Sequence, residues 1–205
     1  MNKNTDMRKY WILVGLFLAV MIVSAIHPHD YFTWTLEVFP AILGFLTLCL
    51  TFNKFRFSTF TYSLILIHCT ILFIGGHYTY AQVPVFDWIK EVFHQSRNNY
   101  DKVGHFAQGF IPAAITRELL IRKEIVKSNN WIAFFTVCIC LSISVLYEFI
   151  EWFVAIVSGQ SSEAFLGTQG DVWDTQSDML FALIGATCMV VFIAKIQDKQ
   201  INKTI

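Results

Sequence analysis

Long apolar runs separated by short polar ones dominate this chain. Stretches 10–26, 35–52, 58–75, 131–157 and 179–196 are almost wholly apolar. A spanning helix needs about 20 mostly apolar residues, and about 17 at the least, so each run is long enough to cross a bilayer. A weaker stretch, 103–121, holds His105, Gln108, Pro112 and Arg117. It counts as a sixth span, because omitting it would put the basic loops on opposite sides of the membrane. The pattern predicts an all-α fold: a polytopic membrane helix bundle of six transmembrane helices, forming one integral membrane domain over 1–205. No internal repeat, low-complexity tract or second domain is visible.

Lysine and arginine in the short loops set the orientation. Lys3, Arg8 and Lys9 precede the first span, and Lys54 and Arg56 lie between the second and third. Arg117, Arg122, Lys123 and Lys127 separate the fourth and fifth, and Lys195, Lys199 and Lys203 follow the sixth. The opposite loops 26–34 and 158–177 contain neither residue type, while 76–102 is mixed. Both termini are therefore expected in the cytoplasm. In loop 76–102, Pro84 is followed by Val85, Trp88, Ile89, Val92 and Phe93 at helical spacing, opposite Asp87, Lys90 and Glu91. That stripe predicts a short helix, either lying in the outer headgroup region or packed on the bundle. The first span is too long for the core of a signal peptide and is expected to remain as an anchor.

Composition agrees with a membrane class. The chain is 55% hydrophobic and only 15% charged, against about a quarter in soluble domains. Formal net charge is zero, so nothing favours a nucleic-acid partner. Cys49, Cys69, Cys138, Cys140 and Cys188 all fall inside expected spans without a C-x-x-C spacing. They are expected to be small buried hydrophobes rather than disulfides or zinc ligands.

The ionisable residues inside the apolar pattern carry the functional signal, because charge at bilayer depth is expensive. Asp101 and His105 are four apart near the outer end of the fourth span, with Gln108 continuing their face. Glu148 and Glu151 share a face with Ser144 in the outer half of the fifth. Asp171, Asp174 and Asp178 would align on a final helix beginning near Gly170. The five carboxylates Glu148, Glu151, Asp171, Asp174 and Asp178 and the His105 imidazole thus converge from three helices on one leaflet. Such a set needs a bound cation, protons or basic partners, and Arg97 and Lys102 are too few to serve as the last. A divalent cation is favoured: oxygen ligands suit Mg, Mn or Ca, and the imidazole admits Zn. Asp171 has a plainer role as a helix cap, and Glu148 and Glu151 as helix–helix hydrogen-bonding groups. His27, His29 and Asp30 read as a turn. His68 is mid-span and is expected to bond a helix partner, while Pro40 and Pro112 mark kinks.

Three segments carry a resemblance. They are Asp101-Lys102-Val103-Gly104-His105-Phe106-Ala107-Gln108-Gly109-Phe110, Tyr147-Glu148-Phe149-Ile150-Glu151-Trp152, and 167–179. They closely resemble the YjdF family of bacterial inner-membrane proteins, a domain of unknown function, over nearly the whole chain. The resemblance implies a multi-pass protein of the bacterial inner membrane and supplies no reaction. A looser similarity is to VanZ-like membrane proteins, which carry Asp-Lys-x-x-His at a helix start, matched by Asp101, Lys102 and His105. Their closing Asp-x-x-x-Asn-x-x-Gly is met by Asp178 and Gly185, but Ala182 stands at the Asn.

The expected function is an enzyme at the outer leaflet. Membrane lipids are its partners, and a lipid or lipid-linked headgroup is its substrate. Glu148, Glu151, Asp174 and Asp178, with Asp171 beside them, hold the cation. His105 acts as general acid/base, oriented by Asp101. The rival classes are an ion or proton transporter, and a non-catalytic accessory or sensor protein locked by the cation. Oligomeric state is not readable.

Overall fold

The computed structural model describes residues 3–158 and 168–203. Part of the basic-free loop 158–177, residues 159–167, including Gly167 of the third resemblance segment, lies outside the described residues. The helices are α1 (Lys3–Ser24), α2 (Tyr31–Thr51), α3 (Thr59–Tyr78), α4 (Pro84–Val92), α5 (Tyr100–Arg122), α6 (Asn129–Ser158) and α7 (Asp174–Cys188). A π-helical turn, Met189–Ile193, carries α7 without a break into α8 (Ala194–Ile201). No strand occurs among the described residues.

Five segments have the length and apolarity to cross a membrane: Met7–Ser24, Tyr31–Thr51, Thr59–Tyr78, Asn129–Val157 and Asp174–Ile201. Their outward faces carry large apolar side chains such as Trp11, Leu50, Phe153 and Phe192. α5 is as long but too polar to qualify by composition, holding Asp101, Lys102, Arg117, Glu118 and Arg122. Its place in the bundle explains this. α5 packs against α3, α6 and α7, so most of its polar residues, including Asp101, Lys102, His105, Arg117 and Glu118, are buried in protein rather than facing lipid.

Two apolar cores flank this central helix. Phe17, Val38, Ala41, Cys69 and Phe73 join α1, α2 and α3. Ala113, Ala114, Cys140, Ala186 and Met189 join α5, α6 and the final helix. α5 and α7 touch backbone to backbone: a Cβ on Gly109 would strike the Ala182 carbonyl, and one on Gly185 would strike the Phe106 carbonyl. Small residues allow that approach, as is general where no hydrophobic effect drives helices together.

The basic end of the bundle is closed by a satisfied polar network. Glu118 is fully buried and accepts from Ser58 N (2.7 Å), Ser58 Oγ (2.8 Å), Thr61 Oγ1 (2.6 Å) and Arg122 Nη1 (2.8 Å). Gln197 donates to the Ala114 carbonyl at 2.7 Å and accepts from Arg117 at 3.1 Å. This ties the start of α3 to the ends of α5 and α8.

The opposite end holds the candidate site. The His-Pro-His-Asp segment is a turn there, as its residues suggest, and Asp30 caps α2 by accepting from Thr33 N at 2.6 Å. α4 forms at its apolar stripe but splits the two expectations for it. No residue of α4 is buried, and Val85, Trp88 and Val92 face outward. Phe86 nevertheless packs with Tyr80, Val83 and Tyr100, and Asp87 accepts from Asn98 at 2.9 Å. The cysteine expectation needs a correction: all five are unpaired, but Cys49 and Cys138 are exposed on the bundle's outer surface.

Candidate functional site

Helical spacing places Asp101 and His105 one turn apart on α5, with His105 Nε2 3.2 Å from Asp101 Oδ1. Asp174 and Asp178 are likewise one turn apart on α7, which lies alongside. Lys102 bridges the two helices, its Nζ 2.8 Å from Asp174 Oδ1 and 2.6 Å from Asp178 Oδ1. Arg97 pairs with Asp174 as well, and reaches Asp101 at 3.3 Å and Asp171 at 3.4 Å. Reciprocal bonds fasten this end: Asn98 N donates to Gln169 Oε1 at 2.9 Å, and Gln169 Nε2 donates to the Asn98 carbonyl at 2.8 Å.

Arg97 and Lys102 between them engage Asp101, Asp171, Asp174 and Asp178, two cations for four aspartates. One expectation is corrected here: the alignment of three aspartates on one helix fails. Gln169 (φ 48°) and Gly170 (φ 84°) have left-handed backbone that a right-handed helix cannot include, so α7 begins only at Asp174. Asp171 sits ahead of the helix, accepting from Trp173 N at 2.9 Å, and its side chain is one-third exposed. It is a turn residue at the rim, not the N-cap, which falls on Trp173.

Asp101, His105 and Asp178 are the described residues that meet as a ligand set. All three are buried, and each offers one ligating atom within 4.8 Å of the others. His105 Nε2 is 3.7 Å from Asp178 Oδ2, the oxygen facing away from the closest Lys102 contact. On the other side of the ring, Nδ1 lies 2.9 Å from Gln108 Oε1 and 3.8 Å from Glu148 Oε1. With the Gln108 amide placed this way, Nδ1 carries a proton. Nε2 then faces two carboxylates, which requires a positive centre between them: a second proton or a cation. Glu148 Oε1 is itself buried and has no hydrogen-bond partner among the described residues.

Below this trio lies a cavity of about 160 Å³ inside the bundle, lined by Glu37, His68, Asp101, His105, Tyr147 and Glu151 among others. Pro40 and Pro112 also line it. A proline inside a helix donates no hydrogen bond to the carbonyl four residues back. At the mouth of the site, burial of Arg97 opposes its charge. The hydrogen bond and charge of Asp174, joined by Asp101 and Asp178, prevail and raise its pKa above the ordinary arginine value.

The comparisons with known proteins place the chain. A family model described as "Predicted membrane protein (DUF2238)" matches residues 9–199. The chain belongs to that family. Inner membrane protein YjdF of Escherichia coli (strain K12) is 45% identical to it over 184 residues, covering 90% of this chain and 88% of the relative. No solved structure matches. With five helices apolar enough to cross a bilayer, this DUF2238 chain is a multi-pass inner-membrane protein.

In this DUF2238 chain the residues flagged by sequence separate into layers. Asp101, His105 and Asp178 form the trio, with Glu148 beside it. Asp174 is held by Arg97 and Lys102, Glu151 lines the cavity, and Asp171 lies at the rim. Sequence reasoning missed Glu37, which is buried and lines the same cavity from α2. The signal was present: Glu37 is the one acidic residue of stretch 35–52, and an intramembrane carboxylate warrants notice by itself. Tyr80 was missed for a better reason. It follows α3 in a left-handed conformation (φ 47°), and its ring fills the space beside Gly75 and Gly104, which no spacing rule foretells.

Proposed function

We propose that this protein is a six-span membrane enzyme with both termini in the cytoplasm. Its outer-leaflet site holds one divalent cation on Asp101, His105 and Asp178 and acts on a lipid or lipid-linked headgroup. The carrying observation is the convergence of these three buried side chains around one point, with His105 Nε2 facing both carboxylates. The unpartnered Glu148 Oε1 beside His105 supports it, being a buried acceptor with nothing to accept from. α5 supports the sixth span: 23 residues at 1.5 Å rise make a helix about 35 Å long, as long as its spanning neighbours. The loop charges support the orientation, with Lys54, Arg56, Arg122 and Lys123 at the end opposite the site.

A cation at this point polarises a phosphoryl or acyl oxygen and lowers the pKa of bound water. Glu148, within reach of the same space, is placed to accept the proton that such water gives up. Lys102 and Arg97 hold Asp174 and one oxygen of Asp178 and so fix the ligand geometry. They also give an anionic headgroup a positive neighbour at the mouth.

The test compares membrane lipids and lipid-linked cell-wall precursors in three strains: wild type, deletion, and one carrying Asp178→Asn at equal membrane abundance. The expected result is the same altered profile in the deletion and Asp178→Asn strains. Unchanged profiles in both overturn the enzyme assignment, and leave Glu37 and His68 in the cavity as components of an ion path. An altered profile in the deletion alone assigns the site a structural role.

A further inference from the structure

A second cavity, of about 400 Å³, opens at the other end of the bundle, remote from the carboxylate site. It runs between α1, α2 and α3, and its walls are Tyr10, Trp11, Phe17, Phe45, Phe52 and Leu66 among others, with no carboxylate in the lining. Its lip faces outward, where Trp11 is 68% exposed. Within the membrane such a groove meets acyl chains rather than water.

Its mouth is cationic. The Arg56 guanidinium lies 4.4 Å from the Phe52 ring centre and 5.5 Å from that of Tyr10, and Lys9 Nζ lies 5.1 Å from the Tyr10 centre. Two polar groups at this mouth, Arg56 Nε–H and Tyr62 Oη–H, are buried and donate to no acceptor among the described residues. Both are donors, and buried donors are costly to leave unmatched. An apolar slot, a basic rim and two unused donors together describe a molecule with a long apolar tail and an anionic, oxygen-rich head.

We propose that this groove binds one anionic glycerophospholipid. An acyl chain lies along Tyr10, Phe17, Phe45 and Leu66, and the phosphate accepts from Arg56 and Tyr62 with Lys9 alongside. Basic clusters at a membrane surface attract anionic over zwitterionic lipid, and the carboxylate-free lining leaves nothing to offset that preference here. The site is independent of the cation site, because the two share no lining residue.

Native mass spectrometry of the full chain in detergent provides the test. Delipidated wild type is titrated with phosphatidylglycerol and with phosphatidylcholine of the same chains. Wild type is expected to saturate with one phosphatidylglycerol and to prefer it to phosphatidylcholine. Arg56→Ala is expected to lower phosphatidylglycerol affinity about fivefold, the worth of one basic residue near an anionic surface. Lys9→Ala, at a position outside the groove's lining, is expected to do the same and serves if Arg56→Ala fails to fold. Leu66→Trp, which fills the slot, is expected to abolish saturable binding of either lipid. Equal affinity for the two lipids in wild type overturns the proposal. So does unchanged phosphatidylglycerol binding in the folded variants.

Discussion

Lys102 decides which carboxylates of the candidate site remain open to a ligand. Its ammonium takes Asp174 Oδ1 and Asp178 Oδ1 and leaves Asp178 Oδ2 turned toward His105. The side chains of all three ion-paired residues are at least nine-tenths buried. Removing one partner of a buried pair strands the other charges, at a cost of about 3 kcal/mol. Lys102→Met is therefore expected to lower the unfolding free energy in detergent by that amount in chelator, read as a lowered midpoint, and to regain part of it when a divalent cation is supplied. The exposed Lys123→Met is expected to change stability by less than about 0.5 kcal/mol. Equal midpoints for wild type and Lys102→Met would show that the pairing carries no weight. The sequence disclosed the acidic members of this site and its two cations, but not how those cations are shared between helices. Lys102 follows Asp101, so on a helix it points about 100° away from it. That offset hid the fact that its long stem reaches a neighbouring helix. Spacing within one element says nothing about what the next element brings.

At the scale of elements, hydrophobic runs were a sound guide wherever a helix faces lipid. Stretches 35–52, 58–75 and 131–157 reappear as α2, α3 and α6 with ends shifted by a few residues. The guide weakened at α5, whose neighbours are protein on most sides. There it can hold Asp101, His105, Arg117 and Glu118 in the interior, provided each finds a partner. The start of α7 was misplaced because two consecutive residues with positive φ, Gln169 and Gly170, break the helix that carboxylate spacing had extended through them. The contact between α5 and α7 rests on Gly109 and Gly185, where backbone meets backbone. Gly109→Leu is expected to force these helices apart, costing about 1–3 kcal/mol as other overpacked sites do. It should also reduce the yield of folded protein on gel filtration. Gly44→Leu is the control: a side chain there meets nothing within 4 Å, and the variant is expected to fold as wild type does. Similar losses in both would mean that bulk at any helical glycine, rather than this crossing, is responsible.

For the molecule as a whole, the buried carboxylates at its two ends are held on opposite principles. At the basic end Glu118 accepts four hydrogen bonds and Gln197 joins α5 to α8, so the demands of that carboxylate are met internally. At the other end the carboxylates outnumber their cations, and Glu148 Oε1 has no donor. A cavity carrying Glu37, His68 and Glu151 lies beneath. The first arrangement holds helices together, whereas the second has capacity left for a ligand. That contrast is the ground for assigning a cation to Asp101, His105 and Asp178. Metal content of the purified protein, measured by mass spectrometry after gel filtration in detergent, tests it most directly. The expected result is about one divalent cation per chain in wild type and in Asp171→Asn, whose rim position is outside the ligand set, and its loss in Asp178→Asn. A metal-free wild type that does not bind Mg, Mn, Ca or Zn when each is added would contradict the assignment, as would equal metal in Asp178→Asn.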